Sequence, residues 1–398
     1  LVVFAILLYN IIINQCHMRM QKAFGTFIFA ILLFLSTVLI INKLDSTKMY
    51  NQHYEDDISR FYVYKNYCVL PYASHSEMES NMNIFERITL ILHISYDYLN
   101  ANILEQLESW DGPITLMITI PSAHVYKKVR KIKETLSCFP SHVLHRLSAH
   151  VLFRSKNGCN QDVIDKLNET NNDWRYPANV ARNVARMFVR SKYVLISDSQ
   201  FVFPEGFESR MCALARNYLT RYPKTALVVR IFEVNDTIKE MPRNKAELRE
   251  LFFKGLAVEF HARYNMEAHT IPHLDQWFNK RENKQEVDIN SIIKFSKRGW
   301  EPQFVSLNTI PFHDENFPFS LRDNTVLRWE MCRQNYTFAL VNDLFMVHRG
   351  IKTMHDIPLT KKRQKHSRPQ FNTAMKLFKQ RMDHQYPETK KLCPEFGA

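Results

Sequence analysis

One aspartate, Asp198, ends the apolar run Tyr193-Val194-Leu195-Ile196 and is followed by Ser199 and Gln200; far downstream His348 ends a second apolar run. A carboxylate, an amide carbonyl and an imidazole form an oxygen and nitrogen donor set that a hard divalent ion, Mn²⁺ or Mg²⁺, accepts. Held beside a leaving diphosphate, such an ion stabilises the negative charge that builds there. Position matters as much as charge, because α/β sheets bind their ligands at the carboxyl ends of strands.

The elements that must place these residues are legible as alternation. Apolar strands are expected over 88–94, 114–120, 150–153, 193–197, 226–232 and 338–347, with periodic helices over 98–110, 123–136, 178–188, 206–219, 245–253 and 371–382. Apolar strands alternating with amphipathic helices predict an α/β fold with a mostly parallel central sheet flanked by helices. The stretch from Trp277 to Asn335 is irregular and aromatic-rich, which suits substrate loops carried on the sheet.

Ahead of this body, 23–41 is apolar throughout and flanked by Arg19, Lys22 and Lys43. About 20 apolar residues are what one helix needs to cross a bilayer. No small-residue cleavage site ends the run, so it reads as a membrane anchor rather than a signal peptide. The expected order is a cytoplasmic tail over 1–22, of which 1–17 has the character of a gene-model artefact, then the anchor at 23–41. A stem over 42–60, a single globular domain over 61–390 and a tail over 391–398 follow. Basic residues are balanced across the anchor and do not orient it. A lumenal body is argued instead from three N-glycosylation acceptors, at Asn168, Asn235 and Asn335, and from Cys68, Cys138, Cys159, Cys212, Cys332 and Cys393. In an oxidising compartment these form up to three disulfides of unreadable connectivity, with Cys212, inside a helical pattern, read as a buried thiol.

The 398 residues carry a net charge of +13, which favours anionic partners without choosing among them. Only 8 glycines are present, with no phosphate-cradling glycine loop, GxSxG elbow or HExxH pair. P-loop, kinase, dinucleotide-binding, serine hydrolase and zincin chemistries are thereby disfavoured. The basic run 361–368 reads as a solvated face, and no nucleic-acid partner is expected beside an anchor and glycosylation sites.

The words around Asp198 carry a resemblance. Tyr176-Pro177-Ala178-Asn179, Ala181-Arg182-Asn183-Val184-Ala185, the run into Asp198 and Pro204-Glu205-Gly206 resemble the donor-site core of glycosyltransferase family 49, the β-1,4-glucuronyltransferase and LARGE-type enzymes. Trp110-Asp111-Gly112-Pro113-Ile114, Pro242-Arg243-Asn244-Lys245-Ala246-Glu247-Leu248, Trp300-Glu301-Pro302 and Phe345-Met346-Val347-His348-Arg349-Gly350 resemble further family words in the same order. The resemblance spans about Arg87 to Tyr386. It implies a GT-A fold in a type II Golgi membrane enzyme that transfers glucuronic acid or N-acetylglucosamine, with inversion, from a UDP-sugar to a glycan or glycoprotein acceptor. It also implies Asn179, Arg182, Asn183, Asp198 and Ser199 beside the donor. Asp198, Gln200 and His348 would hold Mn²⁺ or Mg²⁺, and Asp314 would be the catalytic base with Glu315 as second candidate. A homodimer or a partner transferase is left open.

Two departures from the family pattern stand out. Gln200 replaces the second aspartate of an Asp-x-Asp pair, removing one negative charge from the metal site, and 318–324 replaces a glycine-containing acceptor loop. The alternative function is therefore a catalytically weakened member that binds a glycan or a transferase without turnover.

Overall fold

The computed structural model describes residues 61–397 apart from 81, 101, 168–175, 264 and 354–356. The expected tail, anchor and stem, and the acceptor Asn168, lie outside the described residues. Among those described, no helix is long and apolar enough to cross a membrane.

Twelve strands form one sheet: β1 (Tyr62–Tyr64), β2 (Tyr67–Ser74), β3 (Ile88–Ser95), β4 (Ile114–Thr119), β5 (Leu147–Arg154), β6 (Tyr193–Ile196), β7 (Phe201–Val202), β8 (Thr225–Val234), β9 (Ala257–Glu259), β10 (Ile289–Ile293), β11 (Gln303–Leu307) and β12 (Thr337–Arg349). The longer helices are α1 (Asn102–Ser109), α2 (Val125–Ser137), α3 (Ala178–Met187), α4 (Phe207–Arg221), α5 (Lys245–Phe253), α6 (Thr325–Arg333) and α7 (Ile357–Gln385). The main path runs β1-β2-β5-β4-β3-β6-β11-β8-β12-β10, with β7 paired to β12 and β9 to β8.

The expectation of a mostly parallel sheet is corrected: the sheet is mixed. β5, β4, β3 and β6 form a parallel block, and β8 and β12 are parallel to each other. Between them β11 runs antiparallel to both β6 and β8. β11 comes from the irregular third and is five residues long with Gln303 and Ser306 buried in it, so it lacks the apolar run that marks its neighbours.

The strands of the parallel block are buried on both faces. Leu90, Leu92, Leu116, Ile118 and Leu195 pack with α1, α2 and α4 on one side, while Ile91, Met117, Val194 and Ile196 pack with α3 on the other. This period-two division is what a central strand requires. Two motif words serve this framework. Asp111 caps α4 through the backbone N–H groups of Glu208 and Ser209, and Glu208 accepts Arg87 and the N–H of Ile88. Gly112 is required here, since a Cβ at that position would lie 2.5 Å from the Glu208 side chain. In the second word, Asn244 accepts the N–H of Glu247, and Glu247 reaches back to the N–H of Arg243, a reciprocal cap that starts α5.

Disulfides Cys68–Cys159 and Cys332–Cys393 tie β2 to the segment after β5 and α6 to the C-terminal segment. Cys212 is a buried thiol and Cys138 an exposed one.

His150, fully buried in β5, stacks on Phe188 at 4.2 Å and accepts the Tyr72 N–H at Nδ1, 3.0 Å. Burial, and then His75, push its pKa down to about 3, so it is neutral in the fold. Below pH 6.5 the unfolded chain binds this proton and the native chain does not, so stability falls as pH falls. Between pH 6.5 and 5 this site alone removes about 2 kcal/mol. Urea unfolding of wild type and His150→Phe at both pH values measures the difference; equal pH slopes in the two proteins would refute it.

Candidate active site around Asp198

The β6 strand runs parallel to β3, and their carboxyl ends deliver Asp198 and His93 to one place. Arg182, on α3 and 3% exposed, reaches the same point. Its guanidinium forks: Nη2 donates to Asp198 Oδ1 at 3.1 Å, and Nη1 donates to Asp323 Oδ2 and Asn179 Oδ1, each at 2.8 Å. Burial alone would lower the Arg182 pKa, but Asp323 and Asp198 outweigh it and hold the charge firmly. Burial pushes the Asp323 carboxyl up despite Arg182. Asp198 differs, its side chain being half exposed. Burial there works upward, but His93 and the Arg182 charge hold the carboxyl well below the usual carboxylate range.

His93 is buried and kept neutral chiefly by burial, then by the Arg182 charge. The Tyr176 hydroxyl lies 2.8 Å from its Nδ1. With the phenol donating there, the ring proton sits on Nε2, 3.4 Å from Asp198 Oδ1. The loop beyond Asp198 is gripped by Gln106 of α1, whose Nε2 donates to the Asp198 carbonyl at 3.0 Å while its Oε1 accepts the Gln200 N–H at 3.1 Å. That grip holds Gln200 at φ 124°, a conformation costly for a residue with a side chain. Ser199 is half-buried between them.

From the far side β12 brings His348, 9% exposed, with Nε2 3.1 Å from Gln200 Oε1 and Nδ1 3.3 Å from the Gly350 carbonyl. Burial, then Lys352, push this imidazole down to about 4. A neutral ring has one N–H, yet as placed both its nitrogens face oxygen acceptors. With the ring proton on Nδ1 toward Gly350, Nε2 offers a lone pair beside the Gln200 amide. The donors present, one carboxylate, one amide oxygen and one neutral imidazole, fit a hard divalent ion. Among the described residues no three His, Cys, Asp or Glu side chains converge, and the set here counts one amide, Gln200, among its donors.

Asn183, Asp314 and Glu315 lie elsewhere, and Asn179 bridges the two places. Asn183 is buried with both ends of its amide engaged: Nδ2 donates to the His313 carbonyl and to Glu315 Oε1, and Oδ1 accepts the His313 N–H. Asn179 likewise donates to the Asp314 carbonyl. The two amides pin the 313–315 segment to α3. The Asp314 carboxylate meets Arg381 at 3.2 Å and accepts from Asn316, while Glu315 accepts from Tyr64, Lys65 and Asn183. Both carboxylates line a cavity whose lining omits Asp198, Gln200 and His348. His93, Gln106 and Asp323 were missed by sequence reasoning. His93 had a signal, a polar residue near the end of the apolar run Ile88–Ser95; Gln106 had none; Asp323 lies inside the loop noted only as a departure.

Comparison with known proteins adds to this geometry. Residues 87–387 match the sequence profile of a family described as a glycosyl-transferase for dystroglycan. Beta-1,4-glucuronyltransferase 1 of Mus musculus is 24% identical over 333 residues, covering 77% of this chain and 77% of that protein. Xylosyl- and glucuronyltransferase LARGE1 of Mus musculus is 23% identical over 354 residues, covering 87% of this chain but 42% of that protein. Among solved structures, GalNAc-T7 with UDP, GalNAc and Mn²⁺ aligns with a TM-score of 0.40 at 9% identity, over 67% of this chain and 44% of that one.

Proposed function

The chain belongs to the family of glycosyl-transferases for dystroglycan and is a glycosyltransferase, and from that premise we propose that it transfers a sugar from a UDP-sugar to a glycan acceptor, with inversion, on a GT-A fold. Glucuronic acid, which the names of the relatives carry, is the first donor to test, and N-acetylglucosamine the second. The observations that support the donor side most directly are Asp198 at the carboxyl end of the parallel block and, two residues on, Gln200, whose Oε1 lies 3.1 Å from His348 Nε2. These three would hold Mn²⁺ or Mg²⁺, which when bound supplies Lewis-acid stabilisation to a leaving diphosphate. Arg182 keeps Asp198 ionised, Gln106 holds its backbone carbonyl, and His93 Nε2 lies 3.4 Å from its carboxylate. For the base we keep Asp314, whose carboxylate would take the proton of the acceptor hydroxyl. Glu315, held by three donors, is assigned to fixing the loop.

A Golgi membrane enzyme with a lumenal body is part of the same proposal. Two disulfides suit an oxidising compartment, and the acceptor Asn335 is exposed in the turn before β12. A mobility shift of the purified protein on deglycosylation tests it.

A second reading, glycan binding with weakened turnover, has one observation behind it: the neutral Gln200 in the donor set. Gln200→Asp separates the two. For an active enzyme the Mn²⁺ concentration giving half-maximal UDP release falls by roughly tenfold, about 1.4 kcal/mol of metal binding, while the saturated rate changes little. A wild type with no UDP release, rescued by Gln200→Asp, would establish the second reading.

A further inference from the structure

The cavity on the far side of α3 has a volume of about 620 Å³, within the roughly 300–1,000 Å³ of small-molecule sites. Its wall holds three cations, Lys65, Arg154 and Arg381, and three carboxylates, Asp314, Glu315 and Glu330. Five of the six are paired with one another, and Arg154 donates to the Tyr67 hydroxyl at 2.9 Å. Lys65 meets Glu315 at 2.5 Å, and Arg381 holds Glu330 through both terminal nitrogens at 2.8 and 2.9 Å and Asp314 at 3.2 Å. The cavity is therefore strongly polar and without net charge. A polyanion gains no net attraction there, and an apolar ligand would strip water from six charged groups. Hydroxyl groups donate and accept together, and each carboxylate offers about four lone-pair directions of which Glu315 uses three. Tyr64, and Phe312 at 46% exposure, add rings on which the C–H face of a pyranose can rest.

Location supports the same ligand. Arg154 ends β5 and Asp198 follows β6 in the same parallel block, so both emerge at one edge of the sheet. One relay joins the two places: Asn179 donates to the Asp314 carbonyl and accepts from Arg182, which donates to Asp198. The walls are held in place before any ligand arrives. Cys68–Cys159 ties down the strand carrying Tyr67, and Cys332–Cys393 ties down the helix carrying Glu330. We propose that this cavity is the subsite for a neutral saccharide of the acceptor, distinct from the donor site at Asp198. The proposal rests on the transferase reading for the word acceptor, but the recognition of a neutral sugar stands on the cavity alone.

The test is calorimetric titration of the full-length protein with lactose, cellobiose and chitobiose, and with a sulfated chondroitin disaccharide as the anionic probe. UDP binding is measured on the same samples. At least one neutral probe is expected to bind, and the sulfated one to bind at least tenfold more weakly. Tyr64→Ala and Arg154→Gln are each expected to weaken the neutral probe tenfold or more with UDP binding within twofold. Phe312→Ala, at an exposed position, repeats the test where a folding defect is least expected, and melting curves verify all three. Failure of every neutral probe, preference for the sulfated one, or unchanged neutral binding in the three folded variants overturns the proposal. Wild type that binds a neutral probe but not UDP supports the cavity and sinks the donor reading instead.

Discussion

Asp198→Asn lowers sugar transfer by roughly a thousandfold, about 4 kcal/mol of transition-state stabilisation, while the melting temperature hardly moves. The two halves of this expectation have separate causes. The Asp198 side chain is half exposed, so removing its charge leaves no buried ion unpaired, and Arg182 retains Asp323 at 2.8 Å. Function, by contrast, loses the single anion of the proposed donor set: an amide there leaves two neutral amides and one neutral imidazole facing a divalent ion and a diphosphate. His348→Ala should lose less, since it removes a neutral ligand. UDP release and product formation at saturating Mn²⁺, with and without acceptor, measure both. Asp198→Asn within tenfold of wild type would remove the metal from this site and, with it, the donor assignment.

How far the site was readable follows from the same residues. Asp198 and His348 stand at the ends of uninterrupted apolar runs, which reveal strands whatever their partners, and so their positions were legible. The partners were not. Nothing in Gln303–Leu307 announces a strand, because its neighbours β6 and β8 supply the burial and the pairing that the segment's own composition does not demand. The mixed sheet followed from that one insertion. Asp314 and Glu315 carried the right chemical type for a base, but type does not report what else a carboxylate touches. Arg381 and Lys65, which engage them, come from opposite ends of the chain. Gln106 shows the same limit in a neutral residue. Its two contacts, with the Asp198 carbonyl and the Gln200 N–H, exist only after α1 and the loop following β6 are side by side. Local words thus located the edge of the sheet at which Asp198 and His348 emerge, and non-local hydrogen bonds decided which side chains face it.

Arg182→Met has the largest expected effect on the fold. The guanidinium is the cation between two carboxylates, one of them, Asp323, only 7% exposed. Methionine fills a similar volume but leaves Asp323 with a buried charge and no counter-ion, a loss of about 3–5 kcal/mol for breaking a buried pair from one side. Lysine does not restore it, because a single ammonium cannot fork to Asn179, Asp323 and Asp198 together. The sign of the pH dependence identifies the cause. Burial already pushes the Asp323 carboxyl up in the wild type, and without Arg182 the opposing charge is gone. In the variant the native state then holds this proton at pH values where the unfolded chain has released it. A raised native pKa contributes stability that is present in acid and lost as pH rises through it. The gap between wild type and Arg182→Met is therefore narrow near pH 4.5 and wide at pH 7.5. Urea unfolding at the two pH values reads it directly. A gap below about 1 kcal/mol, or one that does not change with pH, would mean that Asp323 is stabilised by something other than Arg182, and the charge balance drawn here around Asp198 would have to be redrawn.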